Sequence, residues 1–78
     1  MPRFYFHVFN DDVTLDAEGL EFASIEEARA SAERGAQELA CQEVREGHLG
    51  LGHRIEVIDE SGGEVLSVRF KDVIQIHP

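Results

Sequence analysis

Basic residues are scarce in this sequence: seven Lys and Arg stand against sixteen Asp and Glu, for a net charge of −9. A surface of that sign repels nucleic acid and anionic membranes, so neither is expected as a partner. Cysteine is scarcer still. Cys41 stands alone, which excludes an internal disulfide framework and fits a reducing compartment. No apolar run approaches the roughly 18 residues of a membrane-spanning helix, and no charged-then-apolar leader opens the chain. A cytoplasmic location is therefore expected. Internal repeats and low-complexity tracts are absent too. What is present is an ordinary globular composition, 42% hydrophobic and 29% charged, too rich in Phe, Val, Ile and Leu for a disordered chain. The 78 residues make one domain. A chain this short buries only about 60–65% of its unfolded surface, so a self-associating interface would help it.

The one long helical pattern runs from Ser24 to Gly47, and the rest of the chain is expected to organise around it. Ser24 is placed to cap the amide of Glu27, with the Glu27 side chain reaching back to the amide of Ser24. Apolar and small residues recur at Ile25, Ala28, Ala32, Ala36, Leu39 and Ala40, a helical period. The alanines let the helix axis lie close to a sheet, and Ile25 and Leu39 are expected to supply the larger contacts. Gly47 is placed to end the helix in a left-handed conformation. Cys41 falls on the side away from the stripe, facing solvent with Glu38, Gln42 and Arg45.

Strand patterns flank the helix. Arg3 to Phe9 reads as a central strand, with Phe4, Phe6 and Val8 on one face and Tyr5, His7 and Phe9 on the other. Asn10-Asp11-Asp12 is turn chemistry, and Val13 to Asp16 is placed to fold back as a short second strand. Leu20 and Phe22 are expected to tuck beneath the helix start. Gly47 to His53 forms a glycine-rich connector. Arg54 to Asp59 alternates cleanly, Glu60-Ser61-Gly62-Gly63 is a turn, and Glu64 to Phe70 is the return strand. A four-residue loop pairs Ile58 with Val65, Val57 with Leu66, Glu56 with Ser67 and Ile55 with Val68, which keeps the faces consistent. Ile55, Val57, Leu66, Val68 and Phe70 are therefore core residues. Val73 to Ile76 is placed as a further short strand. The predicted fold is α+β, in the order β-β-α-β-β. Its small antiparallel sheet has spatial order 2-1-3-4, with one long helix on one face.

That arrangement leaves the other sheet face open. Tyr5, His7, Phe9, Arg54, Glu56, Ile58, Val65, Ser67 and Arg69 should lie on it. An apolar and aromatic patch rimmed by charge marks an interaction surface, and Tyr and Arg are frequent hot-spot residues. Arg54 and Arg69 should stand opposite each other, which is unfavourable unless an acid such as Glu56 sits between them. The competing expectations are a tail folded over the patch, or plain exposure. His7, at the strand centre, is the histidine to watch for a pH-dependent contact.

Motifs for chemistry are wanting. The four histidines, His7, His48, His53 and His77, have no H-E-x-x-H or Cys-His spacing, so no metal is expected. Gly47, Gly50 and Gly52 follow a helix C-terminus, whose partial charge repels phosphate. Asp11, Asp12, Asp16 and Glu18 lack the order of a calcium loop and read as a solvated acidic turn. Cys41 has no base within a helical turn. No catalytic residue and no cofactor is expected.

Pro2-Arg3-Phe4-Tyr5-Phe6-His7-Val8 resembles the opening of a family of short bacterial proteins known only as a domain of unknown function. The similarity continues through Asp16-Ala17-Glu18-Gly19, Glu27-Ala28-Arg29 and Arg54-Ile55-Glu56-Val57-Ile58-Asp59-Glu60-Ser61-Gly62, and reaches from Pro2 to about Asp72. The resemblance implies a small stand-alone protein of the bacterial cytoplasm, and it brings no activity, cofactor or site. A weaker likeness is to HicB-like antitoxin domains, through the capped Glu26-Glu27-Ala28 helix start. The aromatic Phe4-Tyr5-Phe6-His7 run and the hairpin after the helix depart from it. The expected function is a non-enzymatic interaction or regulatory module, acting as a homodimer or docking a protein partner through the open face or an exposed edge strand. The alternative is an antitoxin-like acidic regulator that neutralises a basic partner.

Overall fold

A computed structural model describes residues 1–78. Its elements are β1 (Arg3–Phe9), β2 (Val13–Thr14), β3 (Leu20–Glu21), α1 (Ile25–Arg45), β4 (Arg54–Ile58), β5 (Glu64–Arg69) and α2 (Phe70–Val73). The sheet is antiparallel, in the order β2-β1-β4-β5, with β3 also paired to β1. The class is α+β, as the alternation implied, and the sheet has five strands rather than four. The extra strand is β3, because Leu20 and Glu21 pair with Phe4 and Arg3 instead of tucking beneath α1. Leu20 is consequently exposed, while Phe22 packs its ring against Phe4 and Phe6.

Helix α1 is built much as its pattern dictates. The Ser24 hydroxyl accepts from the Glu27 amide at 3.3 Å. The returning Glu27 carboxylate takes the amide of Ala23, one residue before the expected Ser24. At the other end Gly47 is left-handed (φ 94°). Its amide bonds to the Val44 carbonyl, and the His48 amide bonds to that of Glu43, which also accepts from the Glu46 amide, so the last turn's carbonyls are satisfied. Ala28, Ala32, Ala36 and Ala40 form a buried seam against the sheet. Gly35 lies beside it, where a β-carbon would stand 3.3 Å from Ile55 Cδ1. This close crossing explains a glycine in a helix interior, a position that costs about 1 kcal/mol relative to alanine. Of the two larger contacts expected of the helix, one fails and one is made only in part. Ile25 is 39% exposed, and Leu39 is only half-buried at the core margin. With the helix resting on small side chains, large residues at the ends of its stripe project past the sheet.

The core comprises Phe4, the alanine seam, Ile55, Val57, Leu66, Val68 and Phe70. The hairpin β4-β5 keeps the expected register from Arg54↔Arg69 to Val57↔Leu66 and then slips. Ile58 pairs with Glu64, not Val65, and Val65 becomes the extra residue of a bulge. The loop is therefore five residues long. The Asp59 carboxylate organises it by accepting from Ser61 N and Gly63 N, while Gly62 turns left-handed (φ 89°). The Ser61 hydroxyl and these amides hold the exposed Asp59 carboxyl below its ordinary range.

The C-terminal tail adds no strand. Phe70 starts the short helix α2, and Val73 and Ile74 pack against the core on the α1 side. Gln37 donates to the Val73 carbonyl at 3.2 Å, fixing the tail there. The competing expectation of a tail folded over the open face is thereby overturned.

Candidate functional site

Three strands build the uncovered sheet face. Period-two alternation puts Tyr5, His7 and Phe9 of β1 opposite Ile58, Glu56 and Arg54 of β4, in register. Beyond them lie Ser67 and Arg69 of β5. Val65 is the one expected member that the bulge moves: it packs against the core cluster. Arg54 does stand opposite Arg69. Its repulsion is answered locally, since Arg54 Nε donates to Glu56 Oε2 at 2.8 Å and Arg69 pairs with Asp72 at 3.5 Å. The Arg54 guanidinium also lies 4.3 Å above the Phe9 ring, a cation–π contact. Tyr5, His7, Phe9, Arg54, Glu56 and Ile58 are each half-buried, and the loop from Asp16 to Gly19 lies against the His7 and Tyr5 rings.

His7 is held from behind. The Asp16 amide donates to His7 Nδ1 at 3.0 Å. An amide can only donate, so Nδ1 accepts, and in the neutral ring the proton is carried by Nε2. Asp16 itself is not a solvated turn residue. Its carboxylate accepts from the amides of Phe6, Glu18 and Gly19 at 3.1, 3.1 and 3.0 Å. Chain segment 15–19 bulges away from β1 between β2 and β3, and the carboxylate fills the ladder position that the backbone vacates. Partial burial raises the Asp16 pKa, but the amides of Gly19, Phe6 and Glu18, helped by His7, more than offset this and hold it below the ordinary range. Gly19 closes the loop at φ 70°, where a β-carbon would lie 2.7 Å from the Phe4 carbonyl oxygen and 3.0 Å from the Tyr5 ring.

A second cluster forms at the C-terminal end of α1. Sequence spacing did not assemble it, because its members come from separate segments; only Glu43, on the buried side of α1, carried a signal. Glu43 extends the alanine seam by one turn and is 4% exposed. The glycine-rich connector folds back over it: Gly50 N donates to Oε1 at 2.9 Å, and His53 Nδ1 lies 2.7 Å from Oε2. His48 Nε2 lies 2.9 Å from Asp11 Oδ2, in the turn after β1. The remaining histidine, His77, lies at the exposed end of the tail near Gln75. Cys41 is exposed as expected, with Arg45 Nη1 3.1 Å from its sulfur. A hollow of about 300 Å³ between α1 and the tail is almost wholly apolar, with Leu49, Val73 and Ile74 among its walls.

The comparisons with known proteins bear on this arrangement at one point. The family described as Domain of unknown function (DUF6894) matches residues 3–71, nearly the whole chain. The chain belongs to that family. The DUF6894 match stops at Lys71, short of the tail from Ile74 to Pro78 that the sequence resemblance also left out. It includes every residue of the open face and every member of the acid–imidazole cluster. No curated protein and no solved structure matches the chain. The likeness to HicB-like antitoxin domains finds no support in these comparisons. No helix is long and apolar enough to cross a membrane.

Proposed function

We propose that this DUF6894 chain is a small non-enzymatic protein-interaction module of the bacterial cytoplasm. Its working surface is the uncovered face of β1, β4 and β5, and its partner is a second copy of the chain or another protein. The observation that carries this reading is the asymmetry of the sheet. The helix and tail both pack on one side, leaving Tyr5, His7, Phe9 and Ile58 on the other. Its charges are paired locally, Arg54 with Glu56 and the Phe9 ring and Arg69 with Asp72, so a partner would meet two guanidiniums that already have partners. No hollow on the molecule is lined by these side chains. A docking role suits such a face better than substrate binding, which needs concavity. His7 would offer its Nε2–H outward as a fixed donor, positioned by Asp16. The net charge disfavours nucleic acid and anionic membranes as partners.

The test is association of the purified and the lysate-borne protein at two salt concentrations. Tyr5→Ala and Phe9→Ala are expected to weaken self-association or partner recovery about tenfold or more, consistent with hot-spot truncation of at least about 1.4 kcal/mol. Circular dichroism should show the fold retained. Association that is unchanged in both variants removes the face from consideration. A complex with a basic partner that dissolves at high salt and ignores both changes would favour the acidic-regulator reading instead.

A further inference from the structure

We infer that Asp11, Glu43 and His48, with His53 behind Glu43, form a binding site for a divalent transition-metal ion such as zinc. The four residues are contributed by the β1–β2 turn, the last turn of α1, and the two ends of the connector that precedes β4. One ligand atom from each of Asp11, Glu43 and His48 lies within 4.8 Å of the other two. His53 borders this group through different nitrogens, Nδ1 2.7 Å from Glu43 Oε2 and Nε2 3.9 Å from Asp11 Oδ1, so it supports the Glu43 carboxylate rather than supplying a fourth ligand. Ligand atoms around a tetrahedral zinc, at bond lengths of 2.0–2.1 Å, stand about 3.3 Å apart. The three ligand atoms lie within 4.8 Å of one another, so modest side-chain rotations bring them to that spacing around an ion, with water as the fourth ligand.

The cluster is more than surface charge. Glu43 is a buried carboxylate, which is costly to keep ionised without strong partners. The Gly50 amide fixes one of its oxygens and leaves the other directed at an imidazole. Gly50 has no room for a side chain, since a β-carbon would overlap the His53 ring. Phe70 packs edge-on against the same ring at 5.7 Å. One carboxylate and one imidazole are thus held by the interior, while Asp11 and His48 stand at the surface, where an ion can enter. An imidazole nitrogen beside two carboxylates suits zinc, cobalt or nickel better than magnesium or calcium, which prefer oxygen alone. The ion would tie the turn after β1 to the end of α1, two segments joined here only through exposed or partly exposed contacts.

Tag-free protein is titrated with zinc chloride by calorimetry, and its thermal midpoint is followed with zinc, calcium and magnesium. One equivalent of zinc should bind, and at a hundredfold excess over Kd it should raise Tm by at least about 5 °C. Calcium and magnesium should not. Asp11→Asn and His48→Ala are exposed changes that should leave the metal-free Tm nearly unaltered. Each should weaken zinc binding at least about tenfold. Cys41→Ser should bind zinc as the parent does. Absence of heat and of any Tm rise overturns the assignment. So does zinc binding that survives both Asp11→Asn and His48→Ala, or is abolished by Cys41→Ser.

Discussion

Replacing Asp16 by alanine is expected to lower stability by about 2–3 kcal/mol, a large effect for a residue in an irregular loop. The carboxylate accepts from the amides of Phe6, Glu18 and Gly19. Of these, the Phe6 and Gly19 bonds are partly shielded from water. Hydrogen bonds to a charged acceptor contribute about 1.5–3 kcal/mol, and a part-buried donor left unpaired adds a desolvation cost. The Phe6 amide suffers most, because the edge strand is missing at that rung of the ladder. Asp16→Asn, which keeps an acceptor oxygen but loses the charge, should lose less. Urea unfolding at neutral pH measures both. The pH dependence has a defined sign. The folded-state pKa of Asp16 lies below its ordinary 3.8, so the stabilisation is fully present above that value. It is lost as pH falls below 3.8 and through the depressed folded value. The alanine variant should therefore lose less stability than the parent between pH 5 and pH 2 (bounds set by about one unit either side of the aspartate range). An acid profile identical in the two proteins would contradict the anchoring role. The consequence for the proposed surface is direct, since the same loop sets the ring of His7.

Phe70→Ala should be more damaging, at about 3–5 kcal/mol. Phe70 is one of the two large side chains with no exposure, together with Val57. Its amide bonds to the His53 carbonyl at 2.8 Å, and its ring supports that of His53. It sits where β5 turns into α2, so it closes the core and directs the tail towards α1. A domain of this size has a total stability of roughly 4–12 kcal/mol, so the loss removes a quarter or more of it. Denaturant unfolding with an unchanged m-value would report the loss as one of stability alone. A cost below about 1 kcal/mol would mean that the tail is not docked as described.

Much of this architecture is legible in the chain itself. Alternation in Arg54–Ile58 and Glu64–Arg69 selects the faces, and the four-residue spacing of alanines from Ala28 to Ala40 marks the buried seam. The features that escape sequence reading depend on groups brought together by folding. The bulge at Val65 arises because Asp59 lengthens the loop by accepting from the Ser61 and Gly63 amides. Alternation favours the even register and is silent about such a carboxylate. The tail follows Phe70, whose burial pulls the chain off the sheet into α2, overriding the strand propensity of Val73 to Ile76. Asp16 resembles any acidic turn residue until the segment around it bulges. Glu43 did leave a trace. It lies three residues after Ala40, on the same helix face as the alanine seam, and a charged residue on a buried face implies a polar partner. That partner lay in a connector whose glycines conceal where it folds.

The central proposal, that the open sheet face is where another protein docks, is tested most directly by site-specific photo-cross-linking inside the host cell. A benzophenone amino acid replaces Tyr5, at the middle of the face, and as a control replaces Glu33 on the exposed side of α1. The expected result is a discrete cross-linked species from position 5, either of twice the chain's mass or joined to one other protein, and none from position 33. No adduct from position 5, or the same adducts from both positions, would contradict it.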